Sequence, residues 1–355
     1  MLQFIESFIN MEPIKLERNK KNINISSFFS IKLIYIFLFL FLIIRFYYTY
    51  YDEIVNKMEH YIKKRKYRHE LKTSNFSILS RLECPQCGFF SFYIVHLGCI
   101  YRYLLSGYTP IIDLKSFPNV YNGNDTSKDN PWELFFHQPF NFTLKDVKKY
   151  GKHVTNFECT AIGERPDEIN MYYNKDSINF WHDFAKKYMP LKNELNLEAN
   201  KIMKELFGDS TNILGVKMRG TDYIAWKPKG HSIPPSVEQV IIDVKKMDKQ
   251  YNYDFIFFAT EDEIIKKKFI PHFKNKIKLL NPNIQINYDY KQQNFINLNK
   301  NINGNIEYIK NYVINTIILS KCLDIVTNRC SGTAGIYILT NGFRHEKIYN
   351  LGEYQ

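Results

Sequence analysis

The hydrophobic pattern divides the chain before any motif does. Residues 28–44 are almost wholly apolar, broken by Lys32, and residues 46–51 extend the run with aromatics suited to a membrane interface. The uninterrupted part, residues 33–44, is shorter than the roughly 20 residues a span needs. Snorkelling of Lys32 and Arg45 lets residues 28–50 cross. No small-residue cleavage site follows, so the pattern predicts a retained anchor rather than a removed signal. Residues 1–27 precede it as a tail, and residues 51–80 read as a polar, partly helical stalk.

Beyond residue 80 the pattern is that of a folded α/β body. Gly88-Phe-Phe-Ser91 leads into an apolar helix over 92–105, stopped by Gly107, and a strand follows over 109–114. The second half alternates more clearly. Strands are predicted over 213–218, 254–259, 284–288, 323–327 and 347–349. Between them, Val237, Val240, Ile241, Val244 and Met247 recur at helical spacing after Pro234-Pro235. Further helices are predicted over 261–269, 306–322 and 331–339. Such alternation implies a parallel sheet with right-handed crossovers, whose ligands bind beyond the carboxyl ends of the strands. The expected domains are 81–205 and 206–355.

Composition changes this picture little. A chain of 355 residues, 45% hydrophobic and 16% aromatic, can bury two cores. About half of the net charge of +12 falls in residues 1–72, where a basic segment beside a membrane accounts for it. No zinc-finger spacing, RNP-like strand or basic heptad helix marks a nucleic-acid module, so no nucleic-acid partner is expected. Of six cysteines, Cys84-Pro-Gln-Cys87 forms the one CxxC. Without a second close pair it does not read as zinc, which leaves a disulfide or buried thiols. Lys15, Arg18, Lys20 and Lys21 ahead of the anchor favour a cytosolic N-terminus, while the basic run 63–66 opposes it. Sequons at Asn75, Asn124 and Asn141 suit a lumenal body. The expectation is a single-pass type II protein with its body in the ER or Golgi lumen.

Three polar clusters each follow a predicted strand: Arg219-Gly-Thr-Asp222, Thr260-Glu-Asp-Glu263 and Thr327-Asn-Arg-Cys-Ser-Gly-Thr333. A parallel sheet would bring them to one edge. Arg219 can give two parallel hydrogen bonds to phosphate oxygens and stays charged. Ser331, Gly332 and Thr333 open a helix, whose free amides and dipole favour an anion. Glu261 or Asp262 can accept hydrogen bonds from a ribose or base. The set suits a diphosphate leaving group, stabilised without a metal ion. Plainer roles exist for each: Arg219 with Asp222 as an ion pair, Ser331 as a cap, the acidic run as a helix start. No GxxxxGK[ST], strand-borne GxGxxG or GxSxG occurs.

At these residues the chain resembles the fucosyltransferase superfamily, which includes N-glycan-core, chitin-oligosaccharide and protein O-fucosyltransferases. Gly215-Val-Lys-Met-Arg-Gly-Thr-Asp-Tyr223 is similar to its first motif, with Gly230-His-Ser-Ile-Pro234 following. Phe257-Phe-Ala-Thr-Glu-Asp262 is similar to the second motif, the loop 327–333 to the third, and the segment 88–91 to the N-terminal glycine loop. The resemblance implies a GT-B-like α/β fold of two Rossmann-like domains. It implies GDP-fucose as co-substrate, no metal or other cofactor, and transfer with inversion to a glycan or glycoprotein acceptor. Arg219 would be the phosphate-binding arginine; Asp222 is a second catalytic candidate, and His231 and Asp222 are the two candidates for a general base. Lys217, Gly220, His231, Thr260, Glu261, Asp262, Ser331, Gly332, Thr333 and Gly88 would contact substrate. Lys217 stands where the family has His, and Gly220 where it has a second Arg.

Two other classes fit parts of the pattern. Glu261-Asp-Glu263 can be read as the metal motif of a GT-A transferase. The missing second arginine suits a membrane-tethered carbohydrate-binding protein on an enzyme scaffold.

Overall fold

The computed structural model describes residues 75–160, 166, 172–220, 222–280 and 304–355. The expected tail and anchor lie outside them. Among the described residues no helix is long and apolar enough to cross a membrane.

The chain forms a mixed α/β body with two parallel sheets. The first consists of β1 (Asn75–Ser80), β2 (Thr109–Ile112) and β3 (His153–Glu158), in the order β2-β1-β3. Its elements include α1 (Phe89–Leu105) and α2 (Leu144–Tyr150), the latter opened by a capping box between Thr143 and Asp146. The stalk expected to run to residue 80 is corrected here. Asn75–Ser80 is the central strand of this sheet, with Phe76 and Leu79 fully buried. Its six residues bury positions on both faces, so the alternation that marks a half-exposed strand is lost.

Two helices, α3 (Lys175–Tyr188) and α4 (Asn193–Phe207), lead to the second sheet. That sheet has β4 (Ile213–Lys217), β5 (Phe255–Ala259), β6 (Ile277–Lys278), β7 (Asp324–Asn328) and β8 (Glu346–Tyr349), ordered β6-β5-β4-β7-β8 and parallel throughout. Its helices are α5 (Asp222–Trp226), α6 (Val237–Tyr251), α7 (Glu263–Phe269), α8 (Ile306–Ser320) and α9 (Ser331–Leu339). Ser236 and Gln239 form the capping box that starts α6, and Asn252 ends it in the left-handed region at φ 48°. The strand expected over 284–288 lies outside the described residues; β6 supplies the edge beside β5. The helix expected from residue 261 starts at Glu263 instead, because Asp262 is its cap.

The border expected between residues 205 and 206 falls inside one compact unit, residues 67–355. One hydrophobic core joins residues from both halves, including Phe90, Trp132, Val313 and Ala334. Phe90 of α1 meets the ring of Tyr312 of α8 edge-on at 5.4 Å. His182 of α3 donates its Nδ1 proton to the carbonyl of Ile338 in α9 at 2.8 Å. A second core lies under α6 and α7, around Val216, Ile256 and Phe258.

Candidate functional site: a cationic cleft at the strand ends

Register places the site. Lys217 at the end of β4 pairs with Ala259 of β5 on one side and with Thr327 of β7 on the other. The three following loops therefore leave the sheet at one level, as the sequence pattern anticipates. They open into a cleft of about 440 Å³ shared with the loop that precedes α1.

Arg219 sits on the cleft lining. Its amide donates to Asn328 Oδ1 at 3.0 Å, which ties the loop after β4 to the end of β7. Its guanidinium pairs with Glu261 at 2.9 Å and lies 5.1 Å from the ring centroid of Tyr223. A carboxylate on one side and an aromatic face on another fix where the charge points.

Lys217 is the more unusual cation. It is 5% exposed, yet it lines the cleft. Its ammonium approaches Cys330 Sγ at 3.1 Å and, among the described residues, forms no ion pair with a carboxylate. A buried lysine without a counter-charge is costly. An anionic ligand in the cleft removes that cost.

The amide end of α9 faces the same space. Cys330 caps this helix in extended conformation, and its carbonyl accepts from the amides of Thr333 and Ala334 at 2.9 and 3.0 Å. Helix geometry leaves the first amides, those of Ser331 and Gly332, without intrahelical partners, and both residues line the cleft. Any side chain at Gly332 would be crowded out: a Cβ there falls 2.4 Å from the Tyr312 hydroxyl and 3.1 Å from Lys217 Cε. Helix end, ammonium and phenol thus converge at one point, an arrangement whose chemistry suits an anion.

The remaining expected residues divide between lining and support. Thr260, Glu261, His231 and Gly88 line the cleft. Gly88 caps α1, with no atom within 4 Å of where its Cβ would be, so the space beside it is open. Thr333 is fully buried, and its hydroxyl donates to the carbonyl of Asn328 at 2.7 Å, fastening α9 to β7. Asp262, expected at the nucleoside, caps α7 in the structure. It is 3% exposed, off the lining, and accepts from the amides of Ile264 and Ile265 at 2.8 and 3.2 Å. Gly220 is also behind the wall. A Cβ there would lie 2.5 Å from Asp262 Oδ2, so the buried cap leaves no room for the second arginine that the resemblance expects. Asp222 opens α5; its side chain is outside the described residues.

The three carboxylates of the GT-A reading separate. Glu261 goes to Arg219, Asp262 caps α7, and Glu263 pairs with Lys266 at 2.6 Å. Among the described residues no three His, Cys, Asp or Glu side chains gather as a metal site.

Sequence reasoning missed one wall. Tyr308, Asn311, Tyr312 and Asn315 line the cleft from α8. Burial raises the Tyr308 phenol far above its ordinary range, and the nearby Glu261 charge adds to this, so it stays a proton donor. The signal was a row at i, i+3, i+4 and i+7 opposite the apolar face, hard to notice in a chain rich in Asn and Tyr throughout. On the other side, Cys84 and Cys87 line the cleft as a disulfide, so the open choice about the CxxC resolves to a bridge.

No family model matches the chain, and no curated protein does. Among solved structures it is similar to NodZ α-1,6-fucosyltransferase soaked with GDP-fucose, at 14% identity and a TM-score of 0.42, covering 76% of this chain and 93% of that one. It is similar to POFUT1 in complex with GDP-fucose, at 9% identity and a TM-score of 0.46, covering 78% and 98%. It is also similar to fucosyltransferase NodZ from Bradyrhizobium, at 14% identity and a TM-score of 0.41, covering 76% and 94%. At these identities and scores the functional reading rests on the cleft itself.

Proposed function

We propose that the protein is an inverting glycosyltransferase that moves a sugar, L-fucose from GDP-fucose, to a glycan or protein acceptor. One observation carries the reading. Lys217, Arg219 and the amide end of α9 converge on one cleft at three register-matched strand ends. Three fixed sources of positive potential, partly shielded from water, suit a departing diphosphate. They take the role a divalent ion would otherwise fill. The motif resemblance at residues 215–223, 257–262 and 327–333 supplies the donor class, and with it the GT-B-like description of the two sheets.

In this reading Arg219 holds the diphosphate, Lys217 neutralises its inner oxygens, and the Ser331–Gly332 amides receive the developing charge. Tyr308 and Asn311 of α8 offer a ring and an amide to the nucleoside. Residues 28–50 anchor the body in the membrane with the cleft on the lumenal side. The Cys84–Cys87 bridge suits that oxidising compartment, and the exposed Asn124 sequon suits glycosylation there. The test is release of GDP from GDP-fucose by the purified chain, alongside other nucleotide sugars. Turnover of GDP-fucose above the others supports the reading; turnover of none of them overturns it.

A further inference from the structure

We infer that His231 is the general base that takes the acceptor proton. The inference rests on the transferase reading and adds the residue that reading leaves unassigned. His231 lines the same cleft as Arg219. Its Nδ1 lies 3.2 Å from the carbonyl oxygen of Lys229. A carbonyl only accepts, so Nδ1 carries the proton of the neutral ring and Nε2 keeps a bare lone pair. That is the tautomer a base requires.

His231 is exposed, its backbone is pinned separately, and its ring touches Tyr223. Tyr223 meets it edge-on at 5.1 Å and places its own face against the Arg219 guanidinium at 5.1 Å. One tyrosine therefore spaces the candidate base from the diphosphate cation. Residues 352–354 clasp the backbone of the loop. The Gly230 amide donates to Tyr354 at 2.9 Å, Ile233 to Gly352 at 3.0 Å, and Tyr354 to His231 at 3.0 Å. Arg329 secures that strap through Asn350 at 3.0 Å and Glu353 at 3.2 Å.

Among the described lining residues the one carboxylate is Glu261, and it is less suited as a base because it is tied to Arg219 at 2.9 Å; the side chain of Asp222, the other base candidate, lies outside the described residues. Among the described residues, the charged and titratable groups around His231 are Tyr223 from α5, Lys227 and Lys229 from its own loop, and Glu353 and Tyr354 from the strap, with Arg219 beyond Tyr223.

In the step, the acceptor oxygen forms a bond to the anomeric carbon as its proton passes to Nε2 of His231. The bond from that carbon to the diphosphate oxygen breaks, and its electron pair leaves on the diphosphate facing Arg219 and Lys217. With water as acceptor the same step yields free sugar and GDP, so no acceptor need be identified for the test.

The experiment compares the full chain with His231→Gln and His231→Ala. GDP affinity is measured by calorimetry, and GDP release from GDP-fucose in water is followed against pH. The expected result is a fall in kcat of about 100-fold with GDP affinity changed less than about twofold. The rate of the parent chain rises with pH along an acid limb that His231→Gln lacks, and added imidazole restores part of the His231→Ala rate. An unchanged kcat, an acid limb retained in His231→Gln, or a matching loss of GDP affinity would overturn the assignment. A parent chain that binds no GDP would overturn the transferase reading and the base with it.

Discussion

Lys217 is where a cost in stability and the proposed function meet. Its ammonium is buried against Cys330 with no ion pair to a carboxylate among the described residues. Lys217→Met keeps the volume and removes the charge. It should raise unfolding stability by about 1 kcal/mol and weaken GDP binding at least about tenfold, read by denaturant unfolding and calorimetry. Gly332→Ala should act on both: its Cβ presses on the Tyr312 hydroxyl and Lys217, so GDP affinity by calorimetry and the melting temperature should both fall. That Arg219, Ser331 and Gly332 share one cleft was legible in the sequence because each lies just beyond the end of a parallel strand. The capping role of Asp262 was not legible because a capping aspartate and a ligand-binding one look alike in sequence. Both follow a strand and precede a helix, and only burial tells them apart.

At the scale of elements, α1 contains a pH-sensitive weakness. His96 is fully buried, and burial pulls its imidazole down to about 4, against the upward effect of its 2.8 Å hydrogen bond to the carbonyl of Phe92. The unfolded chain then binds a proton that the fold refuses between pH 6.5 and about 4. Stability is intact above pH 6.5 and declines through that window on acidification, by up to about 3 kcal/mol. His96→Phe should flatten that slope, as urea midpoints taken across the window would show. The cap of α7 is a second test: Asp262→Ala should cost about 1 kcal/mol and lower GDP affinity only through the loosened wall. Helices and strands with a clear period, such as α6 and β4, were readable in the sequence. The strand β1 was not, because a six-residue strand with buried positions on both faces, beside a charged stretch, carries no usable alternation.

For the molecule as a whole, the cleft depends on both halves being one body. Phe90, Tyr312 and the shared core hold the loop before α1 against the strand ends of the second sheet. The Cys84–Cys87 bridge stiffens that loop. This joining was invisible in the sequence, where each half has its own pattern and nothing marks which helix faces meet. The reading of the whole depends on where the diphosphate sits, and a calorimetric comparison of GDP with guanosine, in the parent chain and in Arg219→Ala, tests it most directly. The parent chain should bind GDP at least about 100-fold more tightly than guanosine, and Arg219→Ala should erase most of that gap while leaving guanosine binding and the melting temperature nearly unchanged. Equal affinity for the two ligands in the parent chain, or a gap that survives the loss of the guanidinium, would contradict the account.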